Sequence, residues 1–172
     1  MPSGHADSLG LPSGVFGAPV VIGEADAQYE GEGFRCRLLG VIISIPRAGD
    51  INRVYGNNTP KSAYGMYAEL GYNILFKTGG TDEEQLIVFV RYERLNMNAS
   101  IPENGIFDGT LNQHHVIGGF TYLPINNVVV KADVRFSNSG DFNPALLSSP
   151  PPGASVYATS DTFLNFGIGF SF

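Results

Sequence analysis

The stretch VVVKADVRF, residues 128–136, alternates apolar and polar side chains more cleanly than any other part of the chain. One set of alternate positions is apolar and the other carries charges: Val128, Val130, Ala132, Val134 and Phe136 against Lys131, Asp133 and Arg135. A period of two is that of a β-strand, in which successive side chains point to opposite faces. The stretch therefore predicts a strand with one apolar and one charged face.

The same period recurs in six further segments, which together predict an all-β chain. They are residues 20–30, 34–45, 63–76, 85–95, 115–124 and the terminal DTFLNFGIGFSF, 161–172. In the second of these the alternation is lost at VIIS (41–44), where both faces are apolar. No segment has a convincing helical period, so we expect seven antiparallel strands and no helix.

The connections between these segments alternate in length. Short links at 31–33, 77–84 and 125–127 alternate with long ones at 46–62, 96–114 and 137–160. In an up-and-down meander, all short turns then lie at one end of the sheet and all long loops at the other. That asymmetry, with strands of about 9–11 residues and aromatic residues near the strand ends, is typical of outer-membrane barrels. The prediction is an antiparallel up-and-down transmembrane β-barrel, its apolar face outward and its long loops solvated.

The composition limits the function. The 172 residues carry a net charge of -6, which argues against a nucleic-acid partner, because phosphate binding needs a basic surface. Charged residues are 15%, which is low for a water-exposed surface. No nucleophile or P-loop motif occurs, so we expect neither an enzyme nor a cofactor. His114 and His115 point to opposite faces of a strand and cannot hold one metal ion together.

Several stretches resemble one family of membrane proteins. YGMYAELGYNIL (64–75), FVRYERLN (89–96), IGGFTYLPINNVVVKADVRF (117–136) and a last strand ending in Phe are similar to the C-terminal half of Gram-negative outer-membrane porins of the phosphate-selective O and P type. The resemblance implies a barrel of sixteen or more strands, often a homotrimer, that conducts small ions or solutes, including anions such as phosphate. It also implies that Phe170 and Phe172 belong to a signal read by the barrel-assembly machinery, and that outer-membrane lipid surrounds the chain.

The chain departs from that family in two respects. Bacterial barrels have an even number of strands, and the first residues lack the basic and apolar regions of a signal peptide. We divide the chain into a poorly structured stretch, 1–17, and a β-barrel segment, 18–172. We expect it to be the C-terminal part of a longer porin, located in the outer membrane.

The charged face of the strands supplies the candidate pore-lining residues. They are Glu24, Asp26, Arg35, Arg37, Glu69, Arg91, Glu93, Lys131, Asp133 and Arg135. Two interpretations stay open at this point. The charges either set the selectivity of a pore wall or form cross-strand ion pairs that hold neighbouring strands together.

Arg94 is an exception, because it falls on the apolar side just past Tyr92. Either its side chain reaches lipid headgroups at the membrane surface or the strand has already ended there.

Three other functions remain as alternatives. The first is a complete eight-stranded structural or adhesive outer-membrane barrel, with residues 5–17 as its first strand and a filled interior. The second is a soluble β-sheet binding module, with the apolar face inward. The third, an outer-membrane phospholipase-type enzyme, needs a lipid-exposed Ser–His pair that the sequence does not place.

Overall fold

The computed structural model describes residues 17–76, 84–146 and 158–171. Within these ranges the chain forms one antiparallel sheet in which seven strands follow each other in chain order. The all-β, up-and-down prediction is therefore confirmed. The strands are β1 Val21–Gly31, β2 Phe34–Ser44, β3 Ser62–Asn73, β4 Gln85–Ser100, β5 Asn112–Ile125, β6 Val128–Ser139 and β7 Ser160–Phe170.

Two of the short links are hairpin turns at the same end of the sheet. Glu32 and Gly33 both have positive φ angles, 51° and 81°, and join β1 to β2. This is the backbone of a type I′ turn, whose twist matches that of the flanking strands. Asn126 and Asn127 join β5 to β6. Most of the third short link, 77–83, lies outside the described residues.

The expectation that the chain has no helix was wrong. An α-helix, α1, spans Ala48–Tyr55 in the long link after β2, and 3-10 turns span Gly109–Leu111 and Pro144–Leu146. The helix has only eight residues, so its period is too short to stand out from the sequence. Asn52 fixes it from within, because its side-chain amide accepts from the Thr59 backbone N–H at 2.6 Å and donates to the Thr59 carbonyl at 3.1 Å.

None of the described helical segments has the length and apolar character needed to cross a membrane.

The long loops contact each other instead of standing alone in solvent. The Asn58 side chain accepts from the Ile106 backbone N–H and donates to its carbonyl, both at 2.8 Å. Asn104 donates to the Gly49 carbonyl at 2.8 Å. Ala48 and Asn52 are buried beneath this cluster. Asn58, Asn104 and Ile106 nevertheless remain exposed, so these loops meet solvent as expected while their asparagine side chains bridge neighbouring backbones.

The sheet buries the centre of its charged face and exposes its apolar face. On the charged face Glu69, Ile87, His115 and Ile117 retain 5–8% of their accessible surface. On the opposite face Leu164 is 82% exposed and Phe166 is 76% exposed. A sheet in water normally does the reverse. A recess lined by charged-face residues of β2 through β7 shows that the sheet curves around this face, which we call the concave face. The apolar face is the convex face.

The sheet is open within the described residues. Strand β1 pairs only with β2, and β7 only with β6. With seven strands in an up-and-down order, β1 and β7 run in the same direction, so pairing them directly would create a parallel pair. Antiparallel closure of the sheet therefore needs an odd number of further strands, of which one is the smallest. The alternative first strand at 5–17 lies outside the described residues except for Gly17, as does nearly all of the predicted N-terminal stretch.

Candidate functional site: the concave face

The strand registers bring all the candidate pore-lining residues onto the concave face. Arg37 lies opposite Glu69 in β3, Glu69 lies opposite Arg91 in β4, and Lys131 lies across from Thr121 in β5. Glu24 and Asp26 lie on the same face of edge strand β1, and both are exposed. The alternation in the sequence correctly grouped these side chains. That they line a pore stays a prediction.

A recess of about 300 Å³ lies at the centre of this face. Cations outnumber carboxylates among the residues that line it. Its charged lining residues are Arg35, Arg37, Arg91, Lys131 and Arg135, against Glu69 and Asp133. The near balance of signs along the sequence does not hold within the recess, because Glu24, Asp26 and Glu93 are not among its lining residues. Coulomb repulsion between like charges then favours an anion at this place.

One part of the charged set forms a continuous ion-pair network. The Arg91 guanidinium donates to Glu69 Oε2 through Nε at 2.8 Å and to Glu93 Oε1 at 3.2 Å. Glu93 in turn lies 3.7 Å from Arg135. The Arg91 guanidinium also lies 5.0 Å from the centre of the Tyr67 ring, within reach of a cation–π interaction. These residues tie β3, β4 and β6 together, as the ion-pair interpretation predicts.

A second part of the set has no counter-ion. Arg37 and Lys131 form no ion pair with any residue in the described ranges, although both line the recess. Asp133, next to Lys131 on this face, accepts from the Asn165 amide at 2.7 Å. The two interpretations of the charged face therefore apply to different residues: ion pairs for Arg91 and its partners, available positive charge for Arg37 and Lys131.

The sequence reasoning did not select three buried residues of this face. Ile87 and Ile117 are each 5% exposed, and His115 is 7% exposed. The Nδ1 atom of His115 and the Nε atom of Arg135 are buried without a hydrogen-bond partner among the described residues. The signal was present, because all three residues fall on the same alternate positions as the charges. They were missed because only charged side chains were selected.

The convex face carries the remaining candidates. Phe170 ends β7 there and is 69% exposed, while Phe172 lies outside the described residues. The registers place His114 on the convex face and His115 on the concave face, as predicted. Arg94 is still within β4, which runs to Ser100, so the interpretation that the strand ends before it was wrong.

Among the described residues, no group of three His, Cys, Asp or Glu side chains is arranged to hold a metal ion. Comparisons with protein-family models, with curated proteins and with solved structures give no match for this chain.

Proposed function

We propose that this chain forms part of the wall of a porin-like channel in an outer membrane, through which small ions or solutes diffuse passively. The observation that carries the proposal is the inverted burial of the sheet. Aliphatic and aromatic side chains cover the exposed convex face, and charges lie on the concave face. That is the arrangement of a strand wall between lipid and a wet lumen.

The dimensions of the apolar face agree with this environment. On β6 the apolar positions run from Val128 to Phe136, about 27 Å along a strand at ~3.4 Å per residue. A tilt of about 35–45° reduces this to roughly 20 Å, close to the height of about 25 Å of the apolar band of membrane barrels. Tyr92 and Phe136 lie towards the long-loop edge and Phe34 towards the other, so aromatic residues flank the band.

The charges of the concave face supply the mechanism. A polar wall replaces part of the hydration shell of a passing solute, and unpaired wall charges bias which ions enter. Arg37 and Lys131 give the recess a positive bias, so small anions are the favoured solutes. No bond is made or broken. The family resemblance adds a homotrimer, outer-membrane lipid and the barrel-assembly machinery as expected partners.

A filled eight-stranded barrel is the second candidate, and one observation favours it. Ile87 and Ile117 are buried on the concave face beside the Glu69–Arg91 pair, as in the packed interior of a small barrel. Either candidate places the convex face in lipid. They differ in whether water and ions pass along the concave face.

Planar-bilayer recording of the refolded chain tests the channel proposal. We expect discrete current steps, with an anion preference that falls when Arg37→Glu and Lys131→Glu are combined. Arg53→Glu, at an exposed position on α1, makes the same change as either single substitution but away from the recess; it is the control and should leave the preference unchanged. Membrane insertion without current steps would favour the filled barrel. A monodisperse monomer in buffer without detergent would refute both.

A further inference from the structure

The convex face carries a cation where a lipid-facing surface is otherwise apolar. Arg94 is the only Lys or Arg that the registers place on this face among the described strand residues. It lies in β4 towards the long-loop end, and its Nε donates to the Tyr64 hydroxyl at 3.3 Å. His114 is its register partner in β5 and is exposed on the same face. No carboxylate of the described strands shares the convex face, and Glu84, just before β4, bonds to Tyr122 at the opposite end of this face. Arg94 therefore has no counter-ion among the described residues.

A groove begins beside Arg94 and crosses the apolar band. Met66, the register partner of Arg94 in β3, forms part of its wall. The groove holds about 430 Å³, and a further 390 Å³ adjoins it on the side of Tyr64. Its floor is low because small residues replace the large side chains found elsewhere on this face: Ala25, Ala27, Gly40 and Ala68. Leu38 and Tyr92 form further walls, and the groove is also lined by Asp26, Leu39 and Tyr67, which the registers place on the positions of the concave face.

We propose that Arg94 and this groove together bind one phosphorylated lipid. The phosphate of the headgroup accepts from the Arg94 guanidinium at the edge of the apolar band, with His114 beside it, and an acyl chain lies along the small residues of the groove. The proposal rests on the proposed function, because it places the convex face in a membrane. Charge complementarity selects the occupant: a cation without a protein counter-ion favours an anionic headgroup over a zwitterionic one.

The two parts of the site support each other geometrically. Arg94 is fixed by Tyr64, so its remaining guanidinium N–H groups are held near the end of the groove. The groove then gives a chain attached to the phosphate an apolar path across the strands from β4 to β1. A free phosphate ion would gain only the contact with the Arg94 guanidinium, and an acyl chain with a neutral headgroup would gain only the contact with the groove.

Native mass spectrometry of the refolded full chain tests the site, with phosphatidylglycerol or phosphatidylcholine added to a neutral detergent. One interfacial Arg contributes about 1 kcal/mol to binding an anionic lipid surface, so we expect about fivefold more retained phosphatidylglycerol than phosphatidylcholine. Arg94→Gln should remove this preference. Gly40→Leu should reduce retention of both lipids, since a Cβ at Gly40 meets no atom within 4 Å and the larger side chain would extend into the groove.

Two controls separate this site from other sources of anion binding. Lys131→Gln removes a cation from the concave face and should leave the lipid preference unchanged. Inorganic phosphate at millimolar concentration should not displace phosphatidylglycerol, because it lacks the acyl chain; displacement would show a free-phosphate site and overturn the proposal.

Circular dichroism monitors the insertion of each variant into phosphatidylcholine vesicles. If the unmodified chain inserts but retains both lipids equally, or if Arg94→Gln keeps the preference, the lipid site is wrong and the membrane assignment stands. If the unmodified chain does not insert, both proposals are wrong.

Discussion

Two neighbouring residues of β7 offer a direct test of which face meets lipid. Phe166 points from the convex face, is 76% exposed and lies near the middle of the strand. Asn165 points from the concave face and donates to Asp133 at 2.7 Å. We compare Phe166→Lys with Asn165→Lys. Both introduce the same charge in adjacent positions of one strand, so the difference between them reports the environment of the two faces.

The expected losses of stability differ in size. A lysine on the lipid face near the bilayer midplane costs about 2–4 kcal/mol, which corresponds to a decrease in the folding equilibrium constant of roughly 30- to 1000-fold. A lysine at 165 faces Asp133, so an ion pair replaces the amide hydrogen bond and the cost is within about 1 kcal/mol. If water bathed the convex face, Phe166→Lys would be close to neutral, because most of this side chain is already exposed.

The assay is urea titration of the chain folded into phosphatidylcholine vesicles, with the folded fraction followed by circular dichroism. We expect the midpoint for Phe166→Lys to fall well below that of the unmodified chain, and the midpoint for Asn165→Lys to stay close to it. Equal midpoints for the two variants, or a loss confined to Asn165→Lys, would refute the assignment of the convex face to lipid.

Two further predictions concern the stability of the sheet, and both use the same titration. Glu69→Gln leaves the Arg91 guanidinium with one carboxylate partner in a largely buried place, so we expect the free energy of unfolding to fall by about 1–3 kcal/mol. Glu30→Gln, the control in an exposed pair, should lower it by less than about 1 kcal/mol. Equal losses for the two variants would contradict an effect of burial. Gly119→Ala would bring a Cβ into the carbonyl oxygen of the neighbouring strand and should cost about 1–3 kcal/mol. Gly167→Ala, where a Cβ meets no atom within 4 Å, should be tolerated, and similar losses at both glycines would contradict this reasoning.

The strands were predictable because their signal is local. Apolar and charged residues alternate at every position from Val130 to Phe136, and the strand found there, Val128–Ser139, extends only three residues past Phe136. The prediction fell short at β4, which continues to Ser100 instead of ending near 95. Beyond Tyr92 the alternation changes sense, because the apolar side chains move from the even positions to the odd ones in RLNMNAS, 94–100. The pairings of Asn96 with Tyr64 and of Ser100 with Ser62 keep the chain extended.

The sequence predicted which residues belong to the candidate site, but not which of them form ion pairs. The period of two placed Glu69, Arg91 and Lys131 on one face, because strand geometry fixes side-chain direction. Which of them would pair depended on register and curvature. Glu69 lies opposite both Arg37 and Arg91 in the sheet, yet it binds Arg91. No local rule distinguishes these two arginines.

By itself, the sequence determined the strands, their antiparallel order and the division of each strand into an apolar and a charged face, because these follow from backbone period and turn length. Only the tertiary structure decided that the sheet curves around the charged face, that Arg37 and Lys131 form no ion pair with the described residues, and that α1 forms over Ala48–Tyr55. These features depend on contacts between residues distant in the chain, such as Arg91 with Glu69 and Asn58 with Ile106, and the alternation of side chains is the same whichever way the sheet bends.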